Sequence, residues 1–301
     1  MLDILIIGSG PAGLSAAVYG KRASLDVLVA EKKYLGTGQI VESNQVDNYL
    51  GMIGISGYDL GESFRGHAEK LDVDFYEGEA NRFEQTTDGW KTYFNDGDCI
   101  ESKTVIYAAG AIHRKLGVEG EEQFLGKGVS YCAVCDGAFY KGKVTAVIGG
   151  GDTALDDALY LSELCKKVYL IHRRNQFRGS VKTLEKLKQL ENVEIVTEAQ
   201  VVKIEGEKKI ASITLNTGRI ILLDGIFCAV GMVPQTEVLQ DVVALDANGY
   251  VRADETGKTS AKGFFAAGDV RTKQLRQVIT AVSDGANAAT EAAGYIAEQG
   301  R

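Results

Sequence analysis

The chain has little proline, histidine, tryptophan or cysteine, and each shortage excludes something. Two prolines stand against 36 glycines in 301 residues, a balance that fits an α/β protein with many strand-to-helix turns. No run of about 18 apolar residues occurs, which excludes a membrane-spanning helix. Met1-Leu2-Asp3 passes straight into an apolar strand and leaves no room for a signal or transit peptide, so the expected location is cytoplasmic. The five cysteines are an odd number in a chain with no export signal, which excludes a disulfide framework. Of the three histidines the nearest to the close cysteine pair, His113, is 19 positions away, and no second pair exists, so no metal is expected. A net charge of −8 argues against nucleic acid as the main partner. What remains, 45% apolar and 25% charged, is an ordinary soluble composition long enough for two domains.

Two glycine fingerprints dominate what is there. Gly8-Ser9-Gly10-Pro11-Ala12-Gly13 follows the apolar run Leu2 to Ile7 and precedes a small-residue stretch. This is the strand, turn, helix order of a dinucleotide site, in which glycines allow a tight turn and helix N–H groups meet a pyrophosphate. Gly149-Gly150-Gly151-Asp152-Thr153-Ala154 repeats the pattern after Val144 to Ile148. A second β-branched run follows each fingerprint, and Glu31 and His172, which end these runs, each stand 23 positions after the first glycine. A carboxylate at that place accepts ribose hydroxyls and repels a 2′-phosphate, which suits FAD or NAD. His172 instead leads into Arg173, Arg174 and Arg178, whose charged forks suit the 2′-phosphate of NADPH.

Between the fingerprints lies Cys132-Ala133-Val134-Cys135-Asp136. The spacing puts both sulfurs on one turn, where they can cycle between dithiol and disulfide. At a helix N-terminus the dipole favours a thiolate, and Asp136 is the candidate acid for the leaving sulfur. Cys165 and Cys228 read as inert core thiols and Trp90 as structural, in a hairpin around Asp88-Gly89. Each expected unit closes with a strand running into small residues, through Ala109-Gly110 and through Gly231, which let a backbone pass close to a ligand. The expected fold is α/β, two Rossmann-like three-layer dinucleotide-binding domains, one inserted in the other. The boundaries are 1–112 with 238–301 for the first and 113–237 for the second, with a helix from Arg276 to Gln299 completing the first.

These motifs together, with Gly38-Gln39, Gly268-Asp269 and Arg276-Gln277-Val278, resemble the low-molecular-weight thioredoxin reductases over essentially the whole chain. The resemblance implies FAD in the first domain and NADPH in the second. It places Glu31 at the adenosine ribose, Gln39 and Asn48 along the flavin, Asp269 at the ribityl chain, and Gln277 with Val278 beside the isoalloxazine. It also makes Cys135 the flavin-proximal sulfur and Cys132 the one that attacks the outside disulfide. Rotation of the NADPH domain, thioredoxin as partner and a homodimer built through the FAD domains are further implications. The chain departs from the family's usual pattern at Leu50 and Val118-Glu119-Gly120, where prolines are common, and at Ser283. A related reductase feeding a peroxidase or a glutaredoxin-like protein, and a non-enzymatic redox sensor, are the alternatives.

Overall fold

Leu2–Ile7 forms the first strand, β1, and Ile4, Leu5 and Ile6 in it are fully buried on both faces, as a central parallel strand requires. The computed structural model describes residues 1–32, 36–43 and 45–299. These divide into two compact units, residues 1–112 with 233–301 and residues 113–232. The second crossover thus falls ahead of the 237–238 boundary expected from the sequence. Gln235 already donates its N–H to the Gly110 carbonyl, which ties it to the first unit.

In the first unit β1 leads into α1 (Pro11–Arg22), β2 (Val27–Glu31), α2 (Gly57–Glu69) and β3 (Asp74–Glu77). A hairpin, β4 (Ala80–Gln85) and β5 (Trp90–Phe94), then precedes β6 (Cys99–Tyr107). β3, β2, β1 and β6 are parallel neighbours in that order. The first unit closes where the chain enters β7 (Ala111–His113).

The second unit repeats the plan. β8 (Val129–Ser130) and the single turn α3 (Ala133–Asp136) precede β9 (Val144–Gly149), α4 (Asp152–Leu164), β10 (Lys167–Ile171), α5 (Val181–Lys188) and β11 (Val193–Val196). β12 (Val201–Gly206), β13 (Ile210–Leu215) and β14 (Ile220–Leu222) form an antiparallel sheet of their own before β15 (Gly225–Ala229). The parallel sheet runs β11-β10-β9-β15-β8. β16 (Met232–Pro234) then pairs with β7, so the two crossovers form one ribbon. Back in the first unit, β17 (Phe264–Ala266) pairs with β6 along Val105 to Tyr107, and α6 (Val278–Gln299) follows. The helix starts two residues later than expected, because the Gln277 N–H is taken by Thr280 Oγ1 outside the helical ladder.

Both units have three layers, and in both the third layer is antiparallel β in place of helix. In the first, α1 and α6 cover one sheet face through Ala12, Ala16, Ala288 and Ala289, while the hairpin and residues around 239–251 cover the other. Trp90 is buried in that second layer, edge-on to Phe264, and its Nε1 donates to the Lys262 carbonyl at 3.1 Å. In the second, α4 and α5 pack on one face and β12 to β14 on the other. Among the described residues no helix is long and apolar enough to cross a membrane.

Candidate active site

Each parallel sheet reverses its strand order beside the strand that leads into its fingerprint, β1 against β6 and β9 against β15, and the fingerprints sit at the carboxyl ends there. Gly8 has φ +102°, and a Cβ on it would lie 2.6 Å from the Ala108 carbonyl oxygen leaving β6. A Cβ on Gly13 would lie 1.8 Å from Gly8 O, so this glycine lets α1 close on the strand. Gly10 meets nothing nearer than 3.7 Å and leaves the approach open. In the second unit a Cβ on Gly149 would stand 2.4 Å from Ala229 O, Gly151 has open space, and Ala154 is fully buried against Gly149. α1 begins at Gly10 with Pro11 in its first turn, and α4 begins at Gly151, followed by Asp152 and Thr153. Neither start has a side-chain cap among the described residues, which leaves the first-turn amides facing a phosphate position.

The middle residue of each fingerprint is covered by the residue that follows the second strand's apolar run. Glu31 Oε2 accepts from the Ser9 N–H at 2.9 Å and from the Ser9 hydroxyl at 3.0 Å. Its other oxygen takes the Lys32 N–H, which leaves lone pairs for ribose hydroxyls. Thr37 donates its N–H to Ser9 Oγ, so the 36–38 segment folds over the turn. In the second unit the His172 ring lies on Gly150, where a Cβ would come within 2.2 Å of it. The Arg178 N–H donates to Gly150 O at 2.8 Å and the Ser180 N–H to Asp152 Oδ1 at 2.7 Å, which folds the basic loop onto the start of α4. Arg173, Arg174 and Arg178 are exposed, with no carboxylate paired to them among the described residues. Burial lowers the His172 pKa, the bond to the Gln176 carbonyl opposes this, and the three guanidiniums lower it further, which favours the neutral ring.

Asp269 gives the clearest test of fit to a bound group in the first unit. Its Oδ1 is buried without a partner among the described residues, and burial raises its pKa against the pull of Lys273 and Arg276. A buried orphan acceptor next to a glycine at φ +79°, Gly268, fits a ligand hydroxyl. Asn48 Nδ2 donates to Gln277 Oε1 at 2.9 Å, so those two predicted positions meet at the start of α6 beside Val278. Gln39 is half-buried on the turn Gly38–Glu42. Arg276 lies 4.2 Å over the Tyr250 ring and donates to the Asp269 and Arg271 carbonyls. Ala109 and Gly110 leave β6 half-buried, and Gly110 and Gly231 have open space at positive φ. The residues present fit a flavin dinucleotide in the first unit and a 2′-phosphorylated one in the second.

Sequence reasoning missed Asp284. Its carboxylate accepts from the Gly268 N–H, from Arg271 Nε and Nη2 and from Lys273 Nζ, at 2.7–3.0 Å. Burial opposes its charge, but the bonds from Arg271 and Lys273 hold its carboxyl below the ordinary range. The signal was a lone acid on the stripe of Ala281, Gly285, Ala288 and Ala292. Ser9 was missed as the partner of Glu31 for want of any spacing rule that links them.

The redox turn lies in the second unit. Cys132 and Cys135 form a disulfide, with Cα atoms 5.3 Å apart. The Cys135 N–H donates to Cys132 Sγ at 3.2 Å, and the Cys132 N–H to Ser130 Oγ at 3.1 Å. α3 is one turn long, so the expected dipole is small and support for a sulfur anion at Cys132 comes from that single amide. Burial raises the Asp136 carboxyl, and the Ser130 hydroxyl, 2.7 Å away, pulls it back down. Cys165 and Cys228 are buried free thiols and Cys99 is exposed.

A profile of the pyridine nucleotide-disulphide oxidoreductases matches residues 2–285. The thioredoxin reductase of Treponema pallidum is 42% identical over 306 residues, covering 98% of this chain and 97% of that one. That of Mycoplasma genitalium is 40% identical over 292 residues, covering 95% and 92%. The crystal structure of thioredoxin reductase from Streptococcus pyogenes is 38% identical, with a TM-score of 0.93 over 99% of both chains. With two dinucleotide cradles, a CxxC disulfide and relatives alike along their whole length, the chain belongs to the pyridine nucleotide-disulphide oxidoreductase family, among its low-molecular-weight thioredoxin reductases.

Proposed function

We propose that this chain reduces the disulfide of thioredoxin with NADPH, through FAD held in the first unit and the Cys132–Cys135 pair in the second. The observation that carries the reading is the disulfide turn with a half-buried acid on it, in a unit whose cradle is closed by three guanidiniums with no carboxylate partner among the described residues. NADPH, when bound, supplies a hydride, and FAD converts it into an electron pair for a disulfide.

The chain's own residues do the rest. The amides that open α1 and α4 bind the two pyrophosphates. Glu31 holds the adenosine ribose of FAD, and Asp269 accepts a ribityl hydroxyl with its free oxygen. Gln39, Asn48, Gln277 and Val278 line the flavin, while Ala109, Gly110 and Gly231 keep the backbone clear of both cofactors. Arg173, Arg174 and Arg178 select the 2′-phosphate, and neutral His172 closes the cradle below them. The Cys132–Cys135 bond opens on taking up two electrons, Asp136 protonates one sulfur, and the other attacks the outside disulfide. Cys132 is assigned that attack and Cys135 the flavin side. Turning of the second unit about the β7–β16 ribbon exposes the pair to its partner, and the working form is a cytoplasmic homodimer.

Anaerobic titration of the flavoprotein with NADPH, followed by thioredoxin, tests this in wild type and Cys132→Ser. Flavin bleaching in both, with thioredoxin reduced by wild type alone, is expected. Bleaching without thioredoxin reduction in wild type moves the assignment to another disulfide acceptor, and no bleaching removes NADPH.

A further inference from the structure

Ser130 ends β8, is 5% exposed, and reaches the redox turn from outside it. Its oxygen accepts the Cys132 N–H at 3.1 Å, stands 2.7 Å from Asp136 Oδ2 and is 3.4 Å from the Cys132 carbonyl. A hydroxyl has one proton and two lone pairs. Here one lone pair is spent on the Cys132 amide, while the single proton has two acceptors in reach. We propose that Ser130 is a positioning residue for the reaction: its hydroxyl holds Asp136 in both protonation states by turning its proton between the Asp136 carboxylate and the Cys132 carbonyl.

This rests on the reading of Asp136 as the acid. When the Cys132–Cys135 bond takes up the two electrons of the hydride that NADPH supplies, two thiolates form and the hydride's proton is released to water. Asp136 gives its proton to one of them, which leaves one thiol, one thiolate and one carboxylate. Before the transfer, protonated Asp136 donates to the free lone pair of Ser130, whose own proton points to the Cys132 carbonyl. After it, the Ser130 proton swings to the new carboxylate. Neither state strands a buried polar atom, so the acid is held in place through the step. Burial raises Asp136 and the Ser130 bond opposes it. The other titratable side chains on elements packed here are Tyr131, Cys132 and Cys135 on the turn itself, Tyr140 after it, Asp152, Asp156, Asp157, Tyr160 and Glu163 on α4, and Cys228 on β15. Burial is the main cause of the Asp136 shift and Ser130 opposes it, while Asp136 in turn helps to raise the Tyr140 phenol.

The test is the pH profile of disulfide reduction by the holoenzyme in wild type, Ser130→Ala, Ser130→Thr and Asp136→Asn. The bond to the charged carboxylate is the stronger of the two, so losing both moves the alkaline limb up by about one pH unit in Ser130→Ala. Threonine keeps the hydroxyl and keeps the limb in place. An alanine variant slowed equally at every pH, or a threonine variant that shifts like alanine, overturns the proposal. Loss of the limb in Asp136→Asn upholds the acid independently, and an unchanged limb there refutes the acid itself. If the alanine variant does not fold, the infrared bands of labelled Asp136 in wild type serve. A carboxyl band in the acid form and a carboxylate band in the base form, both at hydrogen-bonded frequencies, are expected. A band of a free carboxyl in either state overturns the proposal.

Discussion

At the end of its second strand the first unit has Glu31 and the second has His172, and each packs on the middle residue of its own fingerprint. Glu31 needs Ser9 there, because a carboxylate taken partly out of water must be given donors. His172 needs Gly150, because a flat neutral ring lying on the turn leaves no room for a Cβ. In both units a later segment then folds back over the turn, residues 36–38 in one and 178–180 in the other. The backbone device is therefore common to both, and the two units differ in the chemistry of the covering side chain, acidic in one and an imidazole among arginines in the other.

The largest effect separates the units by their chemistry. Cys132→Ser is expected to abolish thioredoxin reduction, by about a thousandfold or more, while NADPH still bleaches the flavin. Stopped-flow absorbance checks this, and loss of bleaching would show that the units cannot be uncoupled this way. Next, Arg173→Ala, Arg174→Ala and Arg178→Ala together raise the KM for NADPH about a hundredfold, with the KM for NADH within about threefold, as lost charged hydrogen bonds to a phosphate predict. Steady-state kinetics with both nucleotides decide it, and an equal loss for NADH would mean that the loop serves the fold. Glu31→Ala weakens FAD by about tenfold in titration of the apoprotein and leaves the KM for NADPH unchanged.

The smallest effect concerns protons. His172 has its pKa lowered in the fold, so the unfolded chain takes up a proton first as pH falls through about 6.5. The second unit therefore loses stability below that pH and regains it above. A 2′-phosphate among the arginines offsets their repulsion of the imidazolium, so NADP⁺ binding should take up protons between about pH 5 and 7. Calorimetry in buffers of different ionisation heat measures this uptake, and 2′-dephosphorylated NAD⁺ should show less.

The glycine turns were legible in the sequence because they obey short-range rules. Gly8, Gly13 and Gly149 are demanded by contacts a few residues away or by the strand alongside. So were β1, which spans the very residues read as an apolar run, and the hairpin that buries Trp90. The antiparallel third layer was not legible, because Val201–Gly206 and Ile210–Leu215 alternate as any half-buried strand does and carry no sign of the sheet they join. The Asp284 cluster joins α6 to residues 268, 271 and 273, and Ser130 meets Asp136 across a strand end. Both are side-chain contacts set by packing, with no periodicity to announce them. The helix expected at the cysteines proved a single turn, since Gly137 continues it only as a tighter coil.

The ribbon of β7 and β16 brings the two ends of the second unit side by side, which makes that unit an excisable cassette. Ile112 and Val233 flank it on adjacent strands, so a tight turn of a few residues could replace all of 113–232 without stretching the first unit's sheet. A minimal flavin protein cut from this chain at those two points should fold, stay yellow and no longer distinguish NADPH from NADH.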